Sequence, residues 1–172
     1  MPTIALTCYL TKGAWATYNT VRYFIAFQSY SSSTAQSVSL ALGTSTTLSL
    51  SLLAASTLIA SFSSHLVSAH ISYRLLHIIR MTLRGLATLF LLAPAIVDFV
   101  LIFVWRNTSD FDLRFRGRCR LDIDVVWTGP GSHCGTNAPS WGAWLAASAV
   151  RLIVTLIVVV CSFFMTDKYV IS

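Results

Sequence analysis

The sequence predicts an all-α integral membrane protein: a bundle of three or four transmembrane helices with a short β-like loop, open to a disulfide bridge, before the last helix. Three observations carry this prediction. Of the 172 residues, 55% are hydrophobic and 10% charged, against about 25% charged in soluble domains. Two long apolar stretches, 86–105 and 142–165, are each long enough, at about 1.5 Å of rise per residue, to cross the roughly 30 Å hydrocarbon slab of a bilayer. Each stretch holds one lone ionisable residue, Asp98 in the first and Arg151 in the second. A charge in hydrocarbon is costly, so such residues turn inward and seek a partner.

The remaining composition fits lipid as the solvent. All six acids are Asp, whereas a soluble helical protein would place Glu on its exposed faces. The net charge of +6 comes from ten Arg and two Lys divided between short loops and spans. That distribution suits attraction to anionic headgroups better than a nucleic-acid surface. The expected partners are the lipid bilayer and another membrane protein or a second copy of the chain, with no nucleic acid. The first residues lack the basic n-region and cleavage site of a secretory signal, so the N-terminus is expected to be retained.

Residues 14–30 are rich in aromatics, and Lys12 and Arg22 interrupt the apolar character of the N-terminal segment. Two readings stay open for it, an interfacial helix or a weak span. Residues 38–62 form the next span, in which ten of 25 residues are Ser or Thr. Their hydroxyls can bond to carbonyls one turn earlier, and their small size lets a neighbouring helix approach closely. A packing face is the simpler reading and a hydroxyl-lined solute path the sharper one.

Residues 66–84 carry His70, Arg74, His77, Arg80 and Arg84 at helical spacing. They read as a basic amphipathic helix lying on the membrane and contacting lipid headgroups or an acidic partner. The two histidines are too far apart for a metal site, and no cofactor is expected. Residues 86–105 are the strongest span, with Pro94 as a kink and Trp105 as an interfacial anchor. Asp98 lies seven residues before Trp105, and Arg151 ten residues after Trp141. Consecutive spans run antiparallel, so the two charges reach similar depths from the same face and are predicted to form an intramembrane pair. A helix lock is the bland consequence, and a proton or ion relay the alternative.

The polar loop 106–141 precedes the last span, 142–165, and the tail 166–172. From Phe111 to Val125 apolar and charged residues alternate without a fault, the period of a strand. Asp122 and Asp124 form a D-x-D pattern, which this alternation already accounts for. Cys119 and Cys134 share the loop and would bridge in an oxidising compartment, stabilising the fold by about 3 kcal/mol. Asn107, Thr108 and Ser109 match the glycosylation acceptor pattern, but Asn107 follows Trp105 so closely that it is expected to lie too near the bilayer for modification.

The general plan resembles small four-span proteins with a cysteine-bridged loop, such as claudin-like and tetraspanin-like proteins. Claudins carry their paired cysteines after the first span, and the tetraspanin Cys-Cys-Gly signature is absent, so no family follows from the resemblance. No nucleophile, carboxylate pair, phosphate loop or metal-ligand spacing composes a catalytic constellation. The expectation is a non-catalytic accessory, scaffold or sorting subunit, multi-pass in the endoplasmic reticulum, Golgi or plasma membrane. The alternatives are a transporter or channel component using Asp98 and Arg151, and a membrane-embedded lipid-modifying enzyme.

Overall fold

A computed structural model describes residues 2–62, 72–109, 113, 115, 118–128 and 138–167. Its four α-helices are α1 (Pro2–Ser29), α2 (Ser33–Ser61), α3 (Tyr73–Val104) and α4 (Trp141–Asp167). One-turn 3-10 helices, Trp105–Asn107 and Val126–Thr128, lie between α3 and α4. Three helices are long and apolar enough to cross a membrane, over Ser33–Ser61, Tyr73–Asn107 and Trp141–Ser162. α1 falls outside that group, yet it packs along both α2 and α4 and closes a ring in which each helix touches two neighbours.

Cross-bridges fix the neighbours as antiparallel. Thr20 on α1 bonds Thr46 on α2, Ser45 and Ser49 on α2 reach Phe90 and Ala87 on α3, and Ser148 on α4 reaches Asp98 on α3. Buried positions recur at alternating steps of four and three: Ala16, Asn19, Tyr23 and Ala26 on α1, continued by Tyr30 just beyond its end, and Ala35, Ser39, Leu42, Thr46, Ser49, Leu53 and Ser56 on α2. This is the knobs-into-holes spacing of a left-handed bundle. Most of these side chains are small, which lets backbones approach where lipid supplies no hydrophobic drive.

Four hydroxyls of α2, at Ser45, Thr46, Ser49 and Ser56, meet neighbouring helices, while others, such as Ser37, Ser39, Thr47 and Ser51, bond to carbonyls one turn earlier in α2 itself. Pro94 sits inside α3 and has no amide proton to give to the carbonyl of Phe90, one turn earlier. Ser45 donates to that carbonyl at 2.9 Å. Ser49 adds a second bond, to the carbonyl of Ala87 at 2.6 Å. In hydrocarbon an unmet carbonyl costs several kcal/mol, so a hydroxyl on the facing helix is an effective substitute for the missing amide.

Two expectations change. The basic stripe is not a helix of its own: Arg74, His77, Arg80 and Arg84 occupy the first turns of α3, which continues unbroken through Gly85 into the apolar span. Strong helix formers on both sides, and nothing against a Cβ at Gly85, give the chain no reason to break there. The N-terminal segment, for which an interfacial helix and a weak span both stay open, packs along α2 and α4, where Arg22 meets Asp122 and Lys12 meets Thr88. The β-like loop is also corrected, since among the described residues no strand forms. The alternation does not separate a wet face from a dry one: Arg118 and Asp124 are buried, while Leu121 is exposed. Arg118 and Asp124 turn inward to separate partners while Asp122 meets Arg22 at the rim, so the described charged positions share no continuous face.

The hydrophobic cluster gathers at the loop end of the bundle. Val125, Val126 and Trp127 from the loop, with Leu113 and Phe115, pack onto Tyr23, Tyr30, Ile102, Trp105 and Trp144. The loop is thus part of the core.

Candidate functional site

The loop segment 122–128 enters the mouth of the bundle and brings its carboxylates to charges on the helices. Asp98 and Arg151 are both buried, held at one level by the antiparallel packing of α3 and α4. Arg151 Nη1 lies 4.0 Å from Asp98 Oδ2, a loose approach. The closer partner is Asp124, whose Oδ2 is in direct ion-pair contact with Arg151 Nη1.

Each member is held by further bonds. Tyr23 on α1 accepts from Arg151 Nη2 at 2.7 Å and donates to Asp124 Oδ2 at 2.7 Å, bridging acid and base through one phenol. Asp98 accepts from the Val125 amide at 2.8 Å and from Ser148 Oγ at 2.9 Å. Asp124 also accepts from the Val126 amide at 2.7 Å. Carboxylates that cap backbone amides and face a guanidinium meet the condition under which charges survive burial.

Rings and two more arginines surround this centre. The Arg151 guanidinium lies 4.5 Å from the Trp127 ring centroid and that of Arg22 5.2 Å. Tyr18 and Tyr23 meet the same indole edge-on, at 5.3 and 5.8 Å. Arg22 pairs with Asp122 at the half-exposed rim. Arg118, buried beneath the loop, donates to the carbonyl of Val125 and, at 2.7 Å, to Thr128 Oγ1, and it lies 5.1 Å from the Trp105 ring centroid. Three acids, Asp98, Asp122 and Asp124, thus stand beside three bases, Arg22, Arg118 and Arg151.

The other residues singled out from sequence are dispersed. Arg74 is exposed, while His77, Arg80 and Arg84 are half-buried along the opposite end of α3, and Arg84 Nε donates to Ser56 Oγ at 3.1 Å. Asn107 is exposed at the end of the 3-10 turn that follows Trp105. Cys119 is half-buried. His70 and Cys134 lie outside the described residues. Among the described residues no group of three or more His, Cys, Asp or Glu is placed to hold a metal ion.

Comparison with protein-family models, curated proteins and solved structures found no match. The site therefore stands on its own geometry. Sequence reasoning anticipated Asp98 and Arg151 but missed Asp124, Tyr23, Trp127 and Arg118. The available signal was charge balance: a buried arginine flanked by a loop rich in Asp has more than one candidate acid.

Proposed function

We propose that this protein is a non-catalytic accessory or scaffold subunit of a membrane assembly, in which the loop before the last helix is clamped onto the bundle as a rigid surface. The carrying observation is the closed network of Asp98, Asp124, Arg151 and Tyr23. Its polar groups face one another and the loop backbone, an arrangement suited to locking a loop and leaving little for a substrate to engage. The hydroxyls of α2 support the same reading, because those at Ser45, Ser49, Thr46 and Ser56 meet neighbouring helices. α4 has the smallest buried share of the three apolar helices and exposes Val150, Ile153, Ile157 and Val160, a face for lipid or a neighbouring membrane helix. On the same reading a bridge between Cys119 and Cys134 would tie the loop from outside. On this reading Arg74 and His77 contact headgroups.

The test is reconstitution of the purified chain in sealed vesicles, with proton and ion flux recorded alongside its association state in native membranes. The reading expects no flux above that of empty vesicles and a mass on native gels larger than one 18.9 kDa chain in its own micelle. Flux that disappears in Asp98→Asn or Arg151→Gln would instead favour a transporter or channel component.

A further inference from the structure

One turn along α1 from the ion network, the interior of the bundle holds a second polar level. Asn19 lies on the inward row of α1 and is 1% exposed, and Thr46 on α2 and Thr155 on α4 are buried as well. Two contacts fix the height of Asn19 against α4: Trp15 Nε1 donates to Thr155 Oγ1 at 3.2 Å, and Arg151 Nη2 donates to the Tyr23 hydroxyl at 2.7 Å. Asn19 stands midway between Trp15 and Tyr23, and Arg151 and Thr155 are themselves one turn apart. Its amide is therefore set against the stretch of α4 from Arg151 to Thr155.

Two buried atoms here make no hydrogen bond among the described residues, Asn19 Oδ1 and Arg151 Nε. One is an acceptor and the other a donor, yet they do not bond each other. The hydroxyls around them have no proton to spare, since each carries only one. Thr155 gives its proton to the Arg151 carbonyl, Thr20 to the Ala16 carbonyl or to Thr46, and Thr46 to carbonyls of its own helix. Within hydrocarbon neither atom can turn to bulk water, and an unmet polar group there is expensive.

The chemistry of the two atoms selects what can join them. A cation would be repelled by the Arg151 guanidinium, and an anion would face the Asn19 oxygen and the carboxylates of Asp98 and Asp124, which stand beside the same arginine. A small neutral molecule that both donates and accepts is what remains. We propose that Asn19 and Arg151 hold one buried water molecule between α1 and α4. It accepts from Arg151 Nε and donates to Asn19 Oδ1, and its second proton is directed to Thr155 Oγ1, giving the three bonds typical of an interior water. This water hydrates the side of the arginine that the loop carboxylate leaves unmet, and it ties the first helix to the last. It does not depend on the accessory reading, because a single bound water is not a path.

The experiment is magic-angle-spinning NMR of the full chain in phosphatidylcholine bilayers with isotope-labelled arginine and asparagine, in which magnetisation is passed from water protons to assigned side-chain nitrogens. In wild type the Arg151 Nε signal is expected to receive magnetisation from a water that stays bound, although the residue is buried. Asn19→Leu replaces the amide by an apolar side chain of similar size and should abolish that transfer, while the exposed Arg74 signal keeps its own. Trp15→Phe removes the neighbouring bond to Thr155 and should leave the transfer in place, which separates loss of the water from a general loosening of the α1 and α4 contact. The wild-type spectrum decides the matter even if Asn19→Leu fails to fold. No transfer to Arg151 Nε, or a coupling that shows this nitrogen bonded directly to the Asn19 oxygen, would overturn the proposal, as would transfer that persists in folded Asn19→Leu.

Discussion

Ser45 donates its hydroxyl proton to the carbonyl of Phe90 at 2.9 Å, the group that Pro94 leaves without an amide donor. Ser45→Ala should therefore destabilise the protein by about 1–3 kcal/mol, the cost of an unmet buried acceptor. In a Pro94→Ala background, where the amide donor returns, the same change should cost much less. Detergent-denaturation curves of the four proteins give the coupling directly, and equal costs in both backgrounds would remove the role assigned to Ser45.

The two buried acids differ in what they hold. Asp124 is in contact with Arg151, whereas Asp98 stands 4.0 Å away and mainly accepts from Val125 and Ser148. Asp124→Asn is expected to cost about 3–5 kcal/mol by exposing an unpaired buried guanidinium. Asp98→Asn keeps an acceptor for the Val125 amide and should cost about 1–2 kcal/mol. Chemical unfolding in micelles ranks them, and the reverse order would mean that Asp98 is the true counterion.

Trp127 is the apolar anchor of the loop, within reach of two guanidinium groups and two phenols. Trp127→Ala should cost about 3–5 kcal/mol, and Trp127→Phe distinctly less. Limited proteolysis should then cut within 118–128 in the alanine variant and spare the wild type.

Gly43 faces α1, yet a Cβ there would meet the Cβ of Tyr23 at 3.4 Å and the ring of Phe24 at 3.6 Å, which is ordinary contact. Gly43→Ala is expected to be neutral or to stabilise by up to about 1 kcal/mol through helix propensity. Gly43→Leu should cost about 1–3 kcal/mol by forcing α1 and α2 apart. Thermal melting of both variants checks the contrast, and loss of folding in the alanine variant would show that this crossing is tighter than the distances indicate.

Cys161 carries a free, exposed thiol within α4, and a bridge between Cys119 and Cys134 belongs to the proposed reading of the loop. A membrane-impermeant maleimide applied to intact, oriented vesicles should label the loop cysteines only after reduction. It should leave Cys161 unlabelled, because that thiol faces lipid. Labelling of Cys119 without reductant would exclude the bridge to Cys134.

Where apolar runs were long, in α2, α3 and α4, the helices were legible because lipid imposes length and composition directly. The approach of Asp98 to Arg151 was legible too, from their distances to the anchoring tryptophans Trp105 and Trp141. α1 was obscured by Lys12 and Arg22, which look prohibitive in isolation and are acceptable only because Thr88 and Asp122 meet them. The loop was misread for a related reason. Alternation reports side-chain chemistry at successive positions, and a strand follows only if the charged positions share one environment. Here Asp124 is buried against Arg151 and Tyr23, while Asp122 remains at the rim with Arg22.

The burial of Asp124 against Arg151 has a consequence for biosynthesis. Asp98 and Asp124 precede Arg151 in the chain by 53 and 27 residues. A chain truncated before α4 would therefore lack the guanidinium that both acids face and would leave buried carboxylates without a counterion, a costly state in hydrocarbon.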